Sequence, residues 1–261
     1  MFLLILMKLT LNPRKSLEEN AGIYFDKSKK AKKKIEGAKK ALEESRKKLT
    51  KIDELIKEEE QREEKVMRKK EWYEKFRWFY TSDDMLFIAG RDATTNEIII
   101  KKHTDKDDLV FHSEMAGSPF GALKTEGKKP TKKTIEECAQ FIACYSKAWK
   151  TTATIADIFY VSPDQVTKEA PSGEYISKGS FMIYGKKNIV SVDLKLFIGK
   201  ITDGKIMSGP ESAVTKYCKT HIRLIQGDEK TSAIAKKIRA ILDADDLDDI
   251  IKVIPVGSKL G

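Results

Sequence analysis

Asp92, His103 and His112 are the side chains whose types and spacing could do chemistry. One carboxylate and two imidazoles fall within 21 residues. Such a set can ligate a divalent cation and activate a water on it, as a metal-dependent nuclease would. The competing reading is that Asp and His on separate elements cap helices and pack. Ser172, between Pro171 and Gly173, has the setting of an exposed nucleophile, yet no base is placed near it by sequence, and a tight turn explains the same residues. The chain carries no G-x-x-x-x-G-K-[ST], no G-x-G-x-x-G and no H-E-x-x-H. The sequence therefore predicts no catalytic residue, no metal and no cofactor, and a protein that is not an enzyme.

A second chemistry is more widely distributed. Arg91, Lys101, Lys102, Lys124, Lys147, Lys168, Lys178, Lys186 and Lys187 recur beside Gly, Ser or aromatic residues. Lysine and arginine neutralise phosphates, and backbone N–H groups in glycine turns add contacts without reading base sequence. The alternative is a solvated charged face. Trp72, Trp78, Phe79 and Tyr80 offer rings for stacking on bases or, alternatively, for a core.

The elements that must position these residues are readable by period and punctuation. Pro13 and Ser16-Leu17-Glu18-Glu19 mark a helix start with a capping box. A 4-3 heptad then runs through twelve positions from Leu17 to Ile56, a coiled-coil signal with several small seam residues. The pattern fails over 58–64, where either a turn or a continued solvated helix is possible. A second helical piece with Val66, Met67, Trp72, Tyr73 and Phe76 leads onward.

At Phe76 the period becomes that of strands. Residues 77–81 and 85–89 form a hairpin about Ser82-Asp83-Asp84. Asp92 then caps a helix over 93–103, so that Asp92, His103 and His112 read as structural fasteners; Asn96, Trp78, Trp149, Ser172 and Gly173 join them as structural motif residues through the family resemblance that follows. Strands are expected at 109–115, 120–125, 153–161 and 181–188, the last ending in a basic turn, with an amphipathic helix over 131–150. Residues 194–201 and 205–209 make a hairpin. Helix, strand and two further helical stretches follow to residue 251. The expected fold is α+β: a long helical segment, then a mixed, mainly antiparallel sheet domain with packed helices. The expected divisions are 1–15, a lead-in; 16–75, a basic helical coiled coil; 76–200, the sheet domain, which the family resemblance that follows makes RNA-binding; and 201–261, an α/β extension packed on it.

The net charge of +10 is unevenly placed. Residues 1–80 hold 23 basic against 15 acidic side chains, and residues 27–48 alone hold 11 against 3. A basic rod suits a polyanionic partner, while a lysine- and glutamate-rich helix surface is also common in heat-tolerant proteins. Cys138, Cys144 and Cys218 form no C-x-x-C pair, so free buried thiols in a reducing cytoplasm are expected. The apolar run at 2–7 is far shorter than the ~20 residues of a membrane span, and reads as a strand or a ragged start left by an absent upstream domain.

Several blocks, in order, resemble the NFACT-R domain of the NEMF/RqcH ribosome quality control family. They are Trp72-Tyr73-Glu74-Lys75-Phe76-Arg77-Trp78-Phe79, Gly90-Arg91-Asp92-Ala93 with Asn96-Glu97, Lys101-Lys102-His103 and Asp108-Leu109-Val110-Phe111-His112. Ser146-Lys147-Ala148-Trp149, Gln165-Val166 to Lys168, Ala170-Pro171-Ser172-Gly173-Glu174-Tyr175, Lys178-Gly179-Ser180-Phe181-Met182-Ile183 and Gly185-Lys186-Lys187-Asn188 continue the series. The heptads before them are similar to the family's coiled coil in its short archaeal form. Ser82-Asp83-Asp84 stands where the family has Ser-Asp-Gly, and the family's NFACT-N and helix-hairpin-helix regions are expected to be missing. The resemblance implies a cytoplasmic factor binding large-subunit rRNA and tRNA on stalled nascent-chain complexes, the ribosome itself making the peptide bonds. It also implies a separate NFACT-N-containing chain, or a second copy through the coiled coil, as partner, with no membrane. A protein-interaction module built on the coiled coil is the alternative.

Overall fold

The protein is described here as a computed structural model covering residues 9–64, 70–115, 117–151, 153–169 and 175–261, with backbone only for 53–64. The expected strand at 2–7, the helical residues Val66 and Met67, and the turn at Ser172 and Gly173 lie outside the described residues. The chain divides into two compact units, residues 1–69 and 70–261.

Among the described residues, the first unit holds one helix, α1 (Leu17–Glu64). The capping box forms as the sequence requires: Glu19 N–H donates to Ser16 Oγ at 3.1 Å, and Ser16 N–H to Glu19 Oε2 at 2.7 Å. The stretch 58–64 continues the helix. Along it the seam residues Leu17, Ile35, Leu42, Leu49 and Ile52 are exposed. Among the described residues, no helix is long and apolar enough to cross a membrane.

In the second unit a 3-10 turn over Trp72–Lys75 precedes β1 (Arg77–Tyr80) and β2 (Leu86–Ala89), the expected hairpin. Asp84 occupies its turn with φ +62°, the left-handed region in which the family's glycine is at ease. The carboxylate there meets Lys216 Nζ at 2.7 Å and the Tyr217 hydroxyl. Then come α2 (Ala93–Lys102), β3 (Leu109–His112), β4 (Gly121–Lys124), α3 (Lys132–Cys144) and β5 (Ile155–Val161). A short ribbon of β6 (Val166–Thr167) and β7 (Met182–Ile183) leads to β8 (Asn188–Asp193). These strands, ribbon aside, form a six-stranded antiparallel sheet in the order β1-β2-β4-β3-β5-β8, with α3 packed across it.

The remaining elements are β9 (Leu196–Ile201), β10 (Ile206–Gly209), α4 (Glu211–Tyr217), β11 (Cys218–Gln226), α5 (Thr231–Leu242), α6 (Leu247–Val253) and β12 (Ser258–Leu260). They build an antiparallel sheet β10-β9-β11-β12 covered by helices. The α+β class is thus as expected. The two sheets meet where β1 lies against β10; a Cβ on Gly209 would come within 3.3 Å of the Phe79 ring. One continuous apolar cluster runs through both.

The strand expected over 109–115 stops at His112, and the second helical piece expected through Phe76 is a 3-10 turn that ends at Lys75. Two further differences have a local cause. The helix expected over 131–150 ends at Cys144, and Lys147–Lys150 is a separate 3-10 turn. Ser146 causes the break, since its Oγ donates to Ala143 O at 2.8 Å and accepts from Ala148 N–H at 3.1 Å. Serine commonly competes for backbone groups in this way. The strand expected over 181–188 is split at Gly185, where φ is +80°. Gln165 Nε2 donates to Tyr184 O and Lys186 O at that point, which turns the chain from the ribbon into β8.

Phe141 of α3 anchors the core, fully buried, with ring centroids 4.8 Å from Phe79 and Tyr145 and 5.8 Å from Phe87. Replacing it with alanine removes all three contacts and leaves a cavity. Urea unfolding of Phe141→Ala should show a loss of about 3–5 kcal/mol.

Candidate nucleic-acid interface

The Gly90-Arg91-Asp92 turn joins β2 to α2. Thr95 Oγ1 accepts from the N–H groups of Arg91 and Asp92 at 2.8 and 2.9 Å, while Asp92 Oδ1 accepts from Thr95 N–H at 2.8 Å. Asp92 is therefore the helix cap expected of it, and that bond holds its carboxyl below the usual range. Gly90 N–H donates to Phe120 O at 2.9 Å, and Phe120 N–H returns to Asn96 Oδ1 at 3.2 Å. A Cβ on Gly90 would stand 1.8 Å from that Asn96 oxygen, so only glycine fits.

Two arginines gather behind this turn. Arg77 Nη1 donates to Gly90 O, and its guanidinium lies 4.6 Å over the Tyr145 ring. Arg91 Nη2 donates to Phe76 O at 3.0 Å and more weakly to Glu74 O at 3.4 Å. The Nε atoms of both are buried and have no hydrogen-bond partner in the structure. Burial is the main influence lowering the pKa of each guanidinium, and for Arg77 the neighbouring Arg91 adds to it. Tyr145 is pushed up to about 12 by burial, and its hydroxyl donates to Val253 O at 2.6 Å.

These groups line a cleft of about 350 Å³ with Asn96, His112, Ser118 and Phe120. Its other rim is Lys178-Gly179-Ser180. Gly179 has φ +79°, and a Cβ there would lie 2.4 Å from the Ala93 Cα; glycine alone lets this loop close against α2. Gly179 N–H donates to Glu97 Oε1 at 3.2 Å.

The remaining candidate cations separate into two groups. Lys168 binds Glu97 at 2.9 Å, Ser177 O and Ser180 O, which makes it a brace for the rim. Lys101 meets the same carboxylate at 3.0 Å. Bonds to Lys168 first, then to Lys101 and Gly179, hold Glu97 at about 2. Lys124 is enclosed by Asp105 at 2.6 Å, by the buried Asp108 and by His103 O at 3.1 Å. Burial opposes its charge, yet these bonds outweigh it and raise its pKa. Lys187 pairs with Glu114 at 2.6 Å and sits over the Phe159 ring. Lys102, Lys147, Lys178 and Lys186 are exposed. Lys178 lines the cleft, and the Lys147 Cε lies 3.6 Å from where a Cβ on Gly117, another lining residue, would be.

The three side chains considered as metal ligands are otherwise engaged. His103 caps the C-terminus of α2 and stacks on Trp72 at 4.6 Å. His112 stacks on Phe120 at 3.8 Å, and its Nδ1 donates to Pro119 O at 2.9 Å. No cluster of three metal-ligating residues occurs among the described residues. Trp78 and Phe79 are core; Trp149 is buried with Nε1 on Ser258 Oγ at 3.0 Å. Trp72 is 44% exposed. The three cysteines are free and buried, and burial raises their thiol pKa values. Arg77 and Tyr145 carry no sequence signal as cleft residues: one reads as a strand residue and the other as part of a helix stripe.

Residues 75–185, which contain this cleft, match the sequence model described as the NFACT protein RNA binding domain. Residues 6–72 match the model described as the NFACT N-terminal and middle domains. The chain belongs to the NFACT family. It is 38% identical over 203 residues to the archaeal Rqc2 homolog aRqcH of Methanocaldococcus jannaschii, across 76% of this chain and 30% of that protein. It is 37% identical to the human ribosome quality control complex subunit NEMF across 66% of this chain and 16% of that one, and 36% identical to the Drosophila melanogaster homolog. The chain thus spans less than a third of these relatives. The expectation that the NFACT-N region is missing is corrected, since residues 6–72, all of α1 included, match the model of the N-terminal and middle domains. A heptad reports which helix face is apolar and nothing about which domain the helix belongs to.

Burial is the largest influence on His112 and lowers its pKa below the usual 6.5; the Pro119 bond and Glu114 act against it and Lys187 with it. Between the folded and unfolded pKa values the unfolded chain binds the extra proton. Stability is therefore full above 6.5 and declines as pH falls through the folded value. His112→Phe should cost about 1 kcal/mol at pH 7.5 through the lost hydrogen bond. Denaturant titrations should show a smaller further loss between pH 7.5 and 5 than in the parent, with the His103 contribution remaining in both.

Proposed function

We propose that this chain is an RNA- and ribosome-binding component of ribosome-associated quality control, acting in the cytoplasm on large-subunit rRNA, tRNA or both at stalled nascent-chain complexes. The observation that carries this reading is a cleft lined by two half-buried arginines inside a domain whose family model is described as RNA-binding. Exposed Lys178 and Lys147 at its rim, with Lys102 and Lys186, are proposed phosphate contacts, and Lys101, Lys168 and Lys187 supporting ones. Binding is the activity proposed, without chemistry by the protein's own side chains.

Affinity should then fall steeply with salt, because each neutralised phosphate releases counterions. Changing Lys102, Lys147, Lys178 and Lys186 together to alanine should weaken binding to ribosomes or tRNA at least tenfold. It should also reduce the slope of log affinity against log salt by about 3. Filter binding across a salt series measures both, and an unchanged slope refutes the surface.

A second reading rests on α1, whose exposed apolar seam suits pairing with another helix. The partner would be a second copy or an NFACT-N-containing chain. Sedimentation of the full chain should give a dimer that Leu42→Glu with Leu49→Glu reduces to monomer; a monomer in both cases removes the self-pairing option.

A further inference from the structure

The Arg77–Arg91 cleft contains more positive charge than its walls compensate. Arg77, Arg91 and Lys178 line it against one carboxylate, that of Asp92, which is already committed to capping α2. Neither arginine forms an ion pair within 4.0 Å among the described residues. Their fixed bonds go to the backbone oxygens Gly90 O, Phe76 O and Glu74 O. A guanidinium taken out of water without a counterion is costly, and each here keeps a buried, unpartnered Nε–H. Guanidiniums pre-oriented by other bonds are suited to receive an oxyanion through the N–H groups that remain.

Size and charge narrow the ligand. A cleft of about 350 Å³ is at the small end of the roughly 300–1,000 Å³ range of ligand sites. It admits one nucleotide unit and no duplex. An internal phosphodiester carries one charge, whereas a phosphate ester at a chain end carries about −1.5 to −2 at pH 7. The latter matches the excess of about two positive charges. Beside the arginines, Pro119, Phe120 and Phe181 supply an apolar wall for a sugar or base.

We propose that the Arg77–Arg91 cleft is a phosphomonoester site that seats the 5′-phosphate of an RNA end or of a free nucleotide. For its ligand class this inference rests on the RNA-binding reading above.

The full chain would be titrated with a single-stranded 12-mer RNA carrying a 5′-phosphate, with the same RNA carrying a 5′-hydroxyl, and with adenosine 5′-monophosphate. The phosphorylated RNA should bind at least tenfold more tightly than the hydroxyl form, and adenosine monophosphate should compete for that advantage where adenosine does not. Ala93→Glu introduces a carboxylate at an exposed position lining the cleft, in the first helical turn where acidic residues are tolerated. It should reduce the ratio of the two affinities to about one, as should Arg77→Gln. If Arg77→Gln fails to fold, Ala93→Glu decides alone. Equal binding of the two RNAs by the parent, or a ratio that survives Ala93→Glu, overturns the phosphomonoester site and leaves RNA binding intact. Binding of adenosine monophosphate without either RNA identifies the source as free nucleotide, and refutes the RNA reading rather than the site. Binding of none of them overturns both.

Discussion

The cleft depends on one steric constraint, the absence of room for a side chain at residue 90. Because Gly90 presses against Asn96, β2 can turn at once into α2, and the Asn96 amide can reach the backbone of Phe120. That contact ties the start of the helix to the strand β4. The Gly90 carbonyl is left facing Arg77, and its acceptance of Nη1 fixes one guanidinium over Tyr145. Gly179 repeats the device on the opposite side, letting the 178–180 loop contact Ala93. Two positions without Cβ atoms therefore hold three segments, far apart in sequence, around one space.

Electrostatics then divides the cations by what surrounds them. Glu97, Asp105, Asp108 and Glu114 each hold a lysine, and those lysines brace loops. Ion pairs at the surface contribute little to stability, typically 0–1 kcal/mol; their value here is positional. Arg77 and Arg91 have been given carbonyl oxygens instead of carboxylates. A carbonyl orients a guanidinium without neutralising it, so the cleft keeps a field that a carboxylate partner would have cancelled.

The long helix follows a different logic. Its capping box is satisfied within the segment, but its apolar seam is not, since Leu42 and Leu49 are 58% and 59% exposed. A helix with an uncovered stripe has its stability tied to whatever covers that stripe. The second unit, by contrast, buries its own core around Phe141.

What the sequence determined by itself was local. The helix caps at Ser16 and Asp92 and the hairpin turns at 82–84 and 203–204 rest on bonds made within a few residues. Their residue types therefore suffice to read them. Asp92 and His112 could be recognised as fasteners on the same ground. What only the tertiary structure decided was which charges stay unpaired. Lys124 and Lys178 are alike in sequence, yet one is enclosed by Asp108, sixteen residues away, and the other is left exposed. Arg77, Tyr145 and Ser180 become neighbours only through sheet pairing and the break in α3 at Ser146. Partnership across such distances is set by packing, and no local pattern of residue types encodes it.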